Sequence, residues 1–126
     1  MPKTTYTAVE PLGLETVGIQ TNSFLPTTAT EYKRGDLLAL SALGVLTHGT
    51  ESDWSVICLD DCTAEQATKQ VAAKVGIPVY THLGANLNAV TLKGVALNEE
   101  QKTAARARSA TSTSITLRLP YAGKGA

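Results

Sequence analysis

Cys58 and Cys62 stand four positions apart in "ICLDDC", with Asp60 and Asp61 between them and Asp53 shortly before. Thiolates, imidazoles and carboxylates hold metals and move protons, so any chemistry in this chain would start here. A Cys-x-x-x-Cys pair needs further soft ligands to make a zinc site, and the only two histidines are His48 and His82. Neither has the paired spacing of a zinc motif. Cys58 reads instead as a small apolar residue in a buried strand. Paired carboxylates can act as acid and base or grip a hard cation. Asp60 and Asp61 close an apolar run, where aspartate is ordinary turn chemistry. No dinucleotide fingerprint, P-loop, nucleophile elbow or HExxH helix occurs. The residues therefore point to no catalytic site, no metal and no cofactor.

The bulk of the chain agrees with a non-enzymatic reading. Its 126 residues suit one domain with a modest core. One Phe, one Trp and four Tyr leave that core to Val, Leu, Ile and Ala. Eleven basic and eleven acidic residues cancel, which argues against nucleic acid as the main partner. No apolar run approaches the roughly 18 residues of a spanning helix, so no membrane partner is expected. The start, "MPKTTYT", lacks the apolar stretch of a signal peptide, which suggests synthesis in a cytoplasm. There a disulfide between the cysteines is not expected.

The elements that would position such residues read as mostly β. "KRGD" is a turn signal, and Leu37, Leu38 and Leu40 follow as a strand. The same turn explains the Arg34-Gly35-Asp36 tripeptide without an integrin-type role. Val45 to Thr47 and Ser55 to Leu59 are further short strands. "TAEQATKQ" opens on a capping residue, Thr63, and reads as a helical turn or a loop. In "QVAAKVGIPVYTHL" the residues Val71, Ala73, Val75, Ile77, Val79 and Thr81 alternate, predicting one long strand with a buried face. Pro78 within it is expected at an edge or a bulge. "GANLNAVTLKGVAL" reads as a loop with apolar anchors. Asn98 with Gln101 forms a capping box, acidic Glu99 and Glu100 follow, and Lys102, Arg106 and Arg108 lie toward the other end. These predict one short helix from about Glu99 to Arg108. Ile115, Leu117 and Leu119 then alternate as a last strand, stopped by Pro120, with 121–126 as a flexible tail.

Residues 1–29 differ. They mix Thr, Pro and Gly with isolated apolar residues: Val9, Leu12, Leu14, Val17, Ile19, Phe24 and Leu25. The stretch lacks helical periodicity, yet it is too apolar for a solvated linker. Two readings stand: an extended arm that needs a partner surface, or a strand or two packed on the chain's own domain. With the arm at 1–29, the compact domain spans 30–120.

This order of elements resembles the lambda-type head-decoration, or capsid-cementing, proteins of tailed bacteriophages. The likeness rests on "YKRGDLLAL", "WSVICLDDC", "QVAAKVGIPVY", "GANLNAVTL", "NEEQKTAARAR" and "TSITLRL", from about Glu31 to Leu119. It is a likeness in the sequence of elements, without a signature motif. The tail "PYAGKGA" and the "TAEQATKQ" stretch depart from the pattern. The resemblance implies a small β-barrel-like domain of β-tulip type with an extended arm, assembled as a homotrimer. Such trimers bind the major capsid protein at three-fold and quasi-three-fold sites outside the expanded head, and brace it against packaged DNA. The protein would be made in the host bacterial cytoplasm and reside on the virion. Leu12, Leu14, Val17, Ile19, Phe24 and Leu25 of the arm are the expected capsid contacts. Two alternatives are another phage structural component, such as a tail or baseplate subunit, and a small β-rich ligand-binding domain using Asp53, Asp60, Asp61 and a histidine.

Overall fold

The computed structural model describes residues 11–14 and 17–119. The fold is mostly β, as expected. In chain order the elements are β1 (Gln20–Pro26), β2 (Leu37–Leu40), β3 (Val45–His48), β4 (Val56–Cys58), α1 (Ala64–Ala73), β5 (Ile77–Asn86), β6 (Thr91–Leu92), β7 (Val95–Ala96), α2 (Glu99–Ser112) and β8 (Ile115–Arg118). The main sheet runs β1-β3-β2-β4-β5-β8, and β1 also pairs with β5. That last pairing closes β1, β3, β2, β4 and β5 into a small barrel. Closure through β1 gives β3 and β5 a partner, while one side of Gln20–Phe24 in β1 and the outer side of β8 keep no strand neighbour among the described residues.

Closure also corrects the expected domain boundary. Residues 11–14 and 20–26 are not a free arm. Phe24 pairs with Ile77, Ser23 with Pro78 and Asn22 with Val79, while Leu25 and Pro26 lie parallel to Val45 and Leu46. Gly13 bridges Ala85. Leu14 N–H donates to the Gly84 carbonyl, and Asn86 N–H to the Leu12 carbonyl, both at 2.8 Å. The reason is physical: without β1 the ring would stand open between β3 and β5. Residues 1–10 and the tail 121–126 lie outside the described residues.

A second correction concerns the long strand expected from Gln70. Two helices form, not one. Thr63 caps α1: its hydroxyl accepts from Gln66 N–H, and the Gln66 side chain accepts from Thr63 N–H. This reciprocal box carries the helix through Ala73, and Lys74 ends it in the left-handed region at φ 60°. β5 therefore begins at Ile77 and runs to Asn86, beyond the expected end. Pro78 is the second residue of β5, ahead of the β4 pairing at Val79 and Tyr80, so no ladder bond to β4 is lost there. α2 starts at Glu99 as expected but extends to Ser112.

The interior is built from two clusters. One joins Leu12, Leu37, Trp54, Ile57, Leu83 and Ala85 to Ala105 of α2 and to Ile115 and Leu117 of β8. The other joins Tyr32, Leu38, Leu46, Val56, Cys58 and Val79 to Ala67 of α1. Each helix thus meets its own cluster through an alanine, which lets the helix backbone come close.

Candidate functional site

Asp60, Asp61 and Cys62 share one cleft, which Asp53, Cys58 and both histidines do not line. Asp53 accepts from Thr50 N–H at 2.6 Å, closing its own turn. Asp61 accepts from Arg34 N–H at 2.8 Å. Cys58 is fully buried, its thiol lies 3.0 Å from the Asp60 carbonyl, and burial pushes that thiol up to about 12. Cys62 is also buried and its thiol is likewise raised by burial. Among the described residues no group of three or more His, Cys, Asp and Glu is placed to hold a metal. The cleft, of about 390 Å³, opens beside α1, with Asp60, Asp61, Cys62, Gln66 and Lys69 over Ile77 and Pro78. Neither histidine lines it. Gln66 is spent on the helix cap, and Lys69 lies 3.9 Å from Glu65. The Cys62 thiol on the cleft donates to the Thr63 carbonyl at 3.6 Å, and burial shifts it away from the thiolate that a nucleophile needs.

The most constrained polar residue is one that sequence reasoning took for a turn. Asp36 is fully buried. One carboxylate oxygen accepts from the Thr91 hydroxyl and from Gly94 N–H; the other accepts from Lys33 N–H at 2.9 Å. His48 Nδ1 lies 3.9 Å from that second oxygen. His48 Nε2 must donate to the Glu31 carbonyl at 2.7 Å, because a carbonyl only accepts. The imidazole also stacks on the Tyr32 ring, with centroids 5.1 Å apart. Asp36 thus ties two segments together, the Lys33 turn and the β6–β7 hairpin, while the nearby His48 Nδ1 has no hydrogen-bond partner among the described residues. Its neighbours Arg34 and Gly35 are equally engaged. Arg34 donates to the Leu59 carbonyl at 2.7 Å, and Gly35 takes φ +96° where an added Cβ would meet the Ala89 carbonyl at 3.0 Å. The Arg-Gly-Asp tripeptide is therefore a structural turn, as the sequence reading held.

Several large apolar side chains face outward among the described residues, Leu43, Val75, Val95 and Leu119 as well as two on the strip leading into β1. Of the six expected capsid contacts, Leu12 is in the core and Leu14 is half-buried against β5. Phe24 packs on the second cluster, and Leu25 is half-buried beside Val45. Val17 and Ile19 remain outward, 78% and 41% exposed. Gln20 to Ser23 follow with exposed side chains. β1 pairs with β5 along Gln20–Phe24 but with β3 only at Leu25 and Pro26. Its first five residues therefore have a strand neighbour on one side only. An outward apolar pair continuous with a one-sided strand is a surface suited to another chain's strand or groove. The sequence signal for it was the lack of charge in this stretch. Trp54 is fully buried, which makes it a packing residue.

No protein-family model matches the chain, and no curated protein does either.

Proposed function

We propose that this protein is a capsid-decoration protein of the lambda type. It binds as a homotrimer to the major capsid protein, outside the expanded head at three-fold and quasi-three-fold positions, and stabilises the shell against packaged DNA. It is made in the bacterial cytoplasm and ends on the virion. The observation that carries the reading is the strip Val17–Ser23: uncharged and outward, with the exposed apolar pair Val17 and Ile19 leading into the polar, one-sided start of β1. Support comes also from the elements of the family resemblance that the fold retains: the strands at Leu37–Leu40 and Val56–Cys58, the helix from Glu99 and the last strand at Ile115–Arg118. The strip supplies backbone donors and acceptors along one edge, with Val17 and Ile19 as anchors, which is the chemistry of strand addition. Three strips in one trimer raise the effective concentration at the shell. A ligand that binds only the expanded shell stabilises it by mass action, on the order of 3 kcal/mol per site at a hundredfold excess over Kd.

The test is co-sedimentation with heads of the encoding phage in unexpanded and expanded forms. The perturbation must leave β1 intact, because removing residues 1–29 would take a strand out of the barrel. Val17→Asp with Ile19→Asp alters only exposed side chains. Saturable binding to expanded heads alone, weakened in the double variant, is the expected result. A folded wild-type chain that pellets with neither form would end the decoration reading, and binding to isolated tails instead would favour a tail or baseplate subunit.

A further inference from the structure

β8 ends the sheet order, with β5 on one side and no strand on the other among the described residues. Its inner side pairs with Leu83–Asn86. Its outer side is covered by side chains. Leu117 N–H points to the Ser109 hydroxyl of α2 at 3.4 Å. Ile115 N–H donates to the Thr113 hydroxyl at 3.1 Å, and that hydroxyl donates back to the Ile115 carbonyl at 2.9 Å. The Ser109 hydroxyl itself donates to the Arg106 carbonyl at 2.8 Å. α2 and its C-cap thus occupy the place a neighbouring strand would take.

The cover is weakly seated. Only Ala105 and Ser109 of α2 are buried, one the smallest apolar side chain and the other polar. Further ties are side-chain hydrogen bonds at the rim: Lys102 to the Asn88 side chain at 3.0 Å, and Arg108 to the Trp54 carbonyl at 2.7 Å and the Asp53 carbonyl at 3.4 Å. Little apolar area therefore opposes release of this helix. The barrel's own elements are held by ladders closed into a ring and by the two core clusters. A helix of this length is marginal in water once it leaves its base, so release means unwinding. Leu97 before the helix and Ile115 after it are buried and hold both ends of the segment.

We infer that α2 is a displaceable strap: it unwinds from the barrel as one unit, the barrel stays closed, and the outer edge of β8 is bared. This holds whether or not the decoration reading does. The bared edge is of the kind that templates strand addition.

The experiment is residue-resolved native-state hydrogen exchange on the full chain, alone and as Ala107→Gly. Ala107 is exposed, so the change lowers helix stability without touching the edge. In the wild type the amides of Ala105 to Ser109 and of Leu117 should share one opening equilibrium. Corrected for intrinsic rates, they should exchange at least tenfold faster than Cys58 N–H, which donates to the Asp36 carbonyl at 2.9 Å, and Asn86 N–H. Ala107→Gly should speed α2 and Leu117 together by about fivefold, the rate equivalent of roughly 1 kcal/mol of helix propensity. Leu117 exchanging only at the barrel's rate overturns the inference. So does a Leu117 rate that Ala107→Gly leaves unchanged.

Discussion

Gly76→Ala separates a barrel strand from a free arm by the sign of its effect. Gly76 lies in the turn between α1 and β5. A Cβ there would come 2.8 Å from Phe24 N and 3.0 Å from the Phe24 carbonyl carbon and oxygen. All three are backbone atoms of β1, not the end of a flexible side chain. β1 cannot simply yield, because Asn22 to Phe24 are registered on β5 and Leu25 and Pro26 on β3. Forcing a carbon into packed surroundings costs about 1–3 kcal/mol. Against this, replacing glycine removes freedom from the unfolded chain and contributes about 0.4–1 kcal/mol of stability. The net expectation is a loss of about 1–2 kcal/mol. With β1 detached, only the favourable contribution would remain and the variant would be more stable than wild type. The assay is urea unfolding followed by the fluorescence of Trp54, the chain's one tryptophan and fully buried. With a slope of about 1–3 kcal/mol per molar urea, the midpoint should fall by roughly 0.3–2 M at unchanged slope. A midpoint equal to or above wild type would refute the argument that β1 closes the barrel.

Three further outcomes are expected. Asp36→Ala leaves the donors of Lys33, Thr91 and Gly94 facing an uncharged methyl and should cost about 3–5 kcal/mol, with Asp36→Asn costing less; urea midpoints and exchange at Gly94 N–H measure both. Thr63→Ala removes one half of the α1 capping box and should cost about 1 kcal/mol, with a loss of helical circular dichroism that a strand at Gln70–Ala73 would not show. The Cys58 thiol, raised by burial to about 12, should resist thiol reagents at pH 8 until the protein unfolds. The folded state favours the protonated thiol, so that stabilisation is fully present below pH 9 and is lost as the pH climbs toward 12; wild type should therefore lose stability relative to Cys58→Ser over that window.

Local signals were read well where one element satisfies itself. The capping box at Asn98 and Gln101 placed the start of α2, and the apolar runs placed β2, β4 and β8. The same box, Thr63 with Gln66, stood at the head of α1 but lost to the alternation of Val71, Ala73 and Val75. That alternation buries nothing on its expected face: Ala73 and Val75 are exposed, and Val71 is only half-buried. A capping geometry is a local bond count, whereas alternation counts only if a sheet is there to receive it. β1 was open to two readings because its partners, Ile77 to His82, are remote in sequence and no local pattern shows which strand closes a ring. Asp36 was legible as a turn residue and no more. Its burial arises from the Thr91–Gly94 hairpin folding over it, a contact made only in the finished fold.

The central claim concerns where the outward strip Val17–Ser23 goes. Cryo-electron microscopy of expanded heads saturated with the protein tests it directly. The account predicts trimeric density at the three-fold and quasi-three-fold positions, with Val17 and Ile19 against the capsid protein and the free side of β1 paired to one of its strands. Ordered density that meets the shell through another face, or bare three-fold sites on heads shown to be expanded, would contradict it.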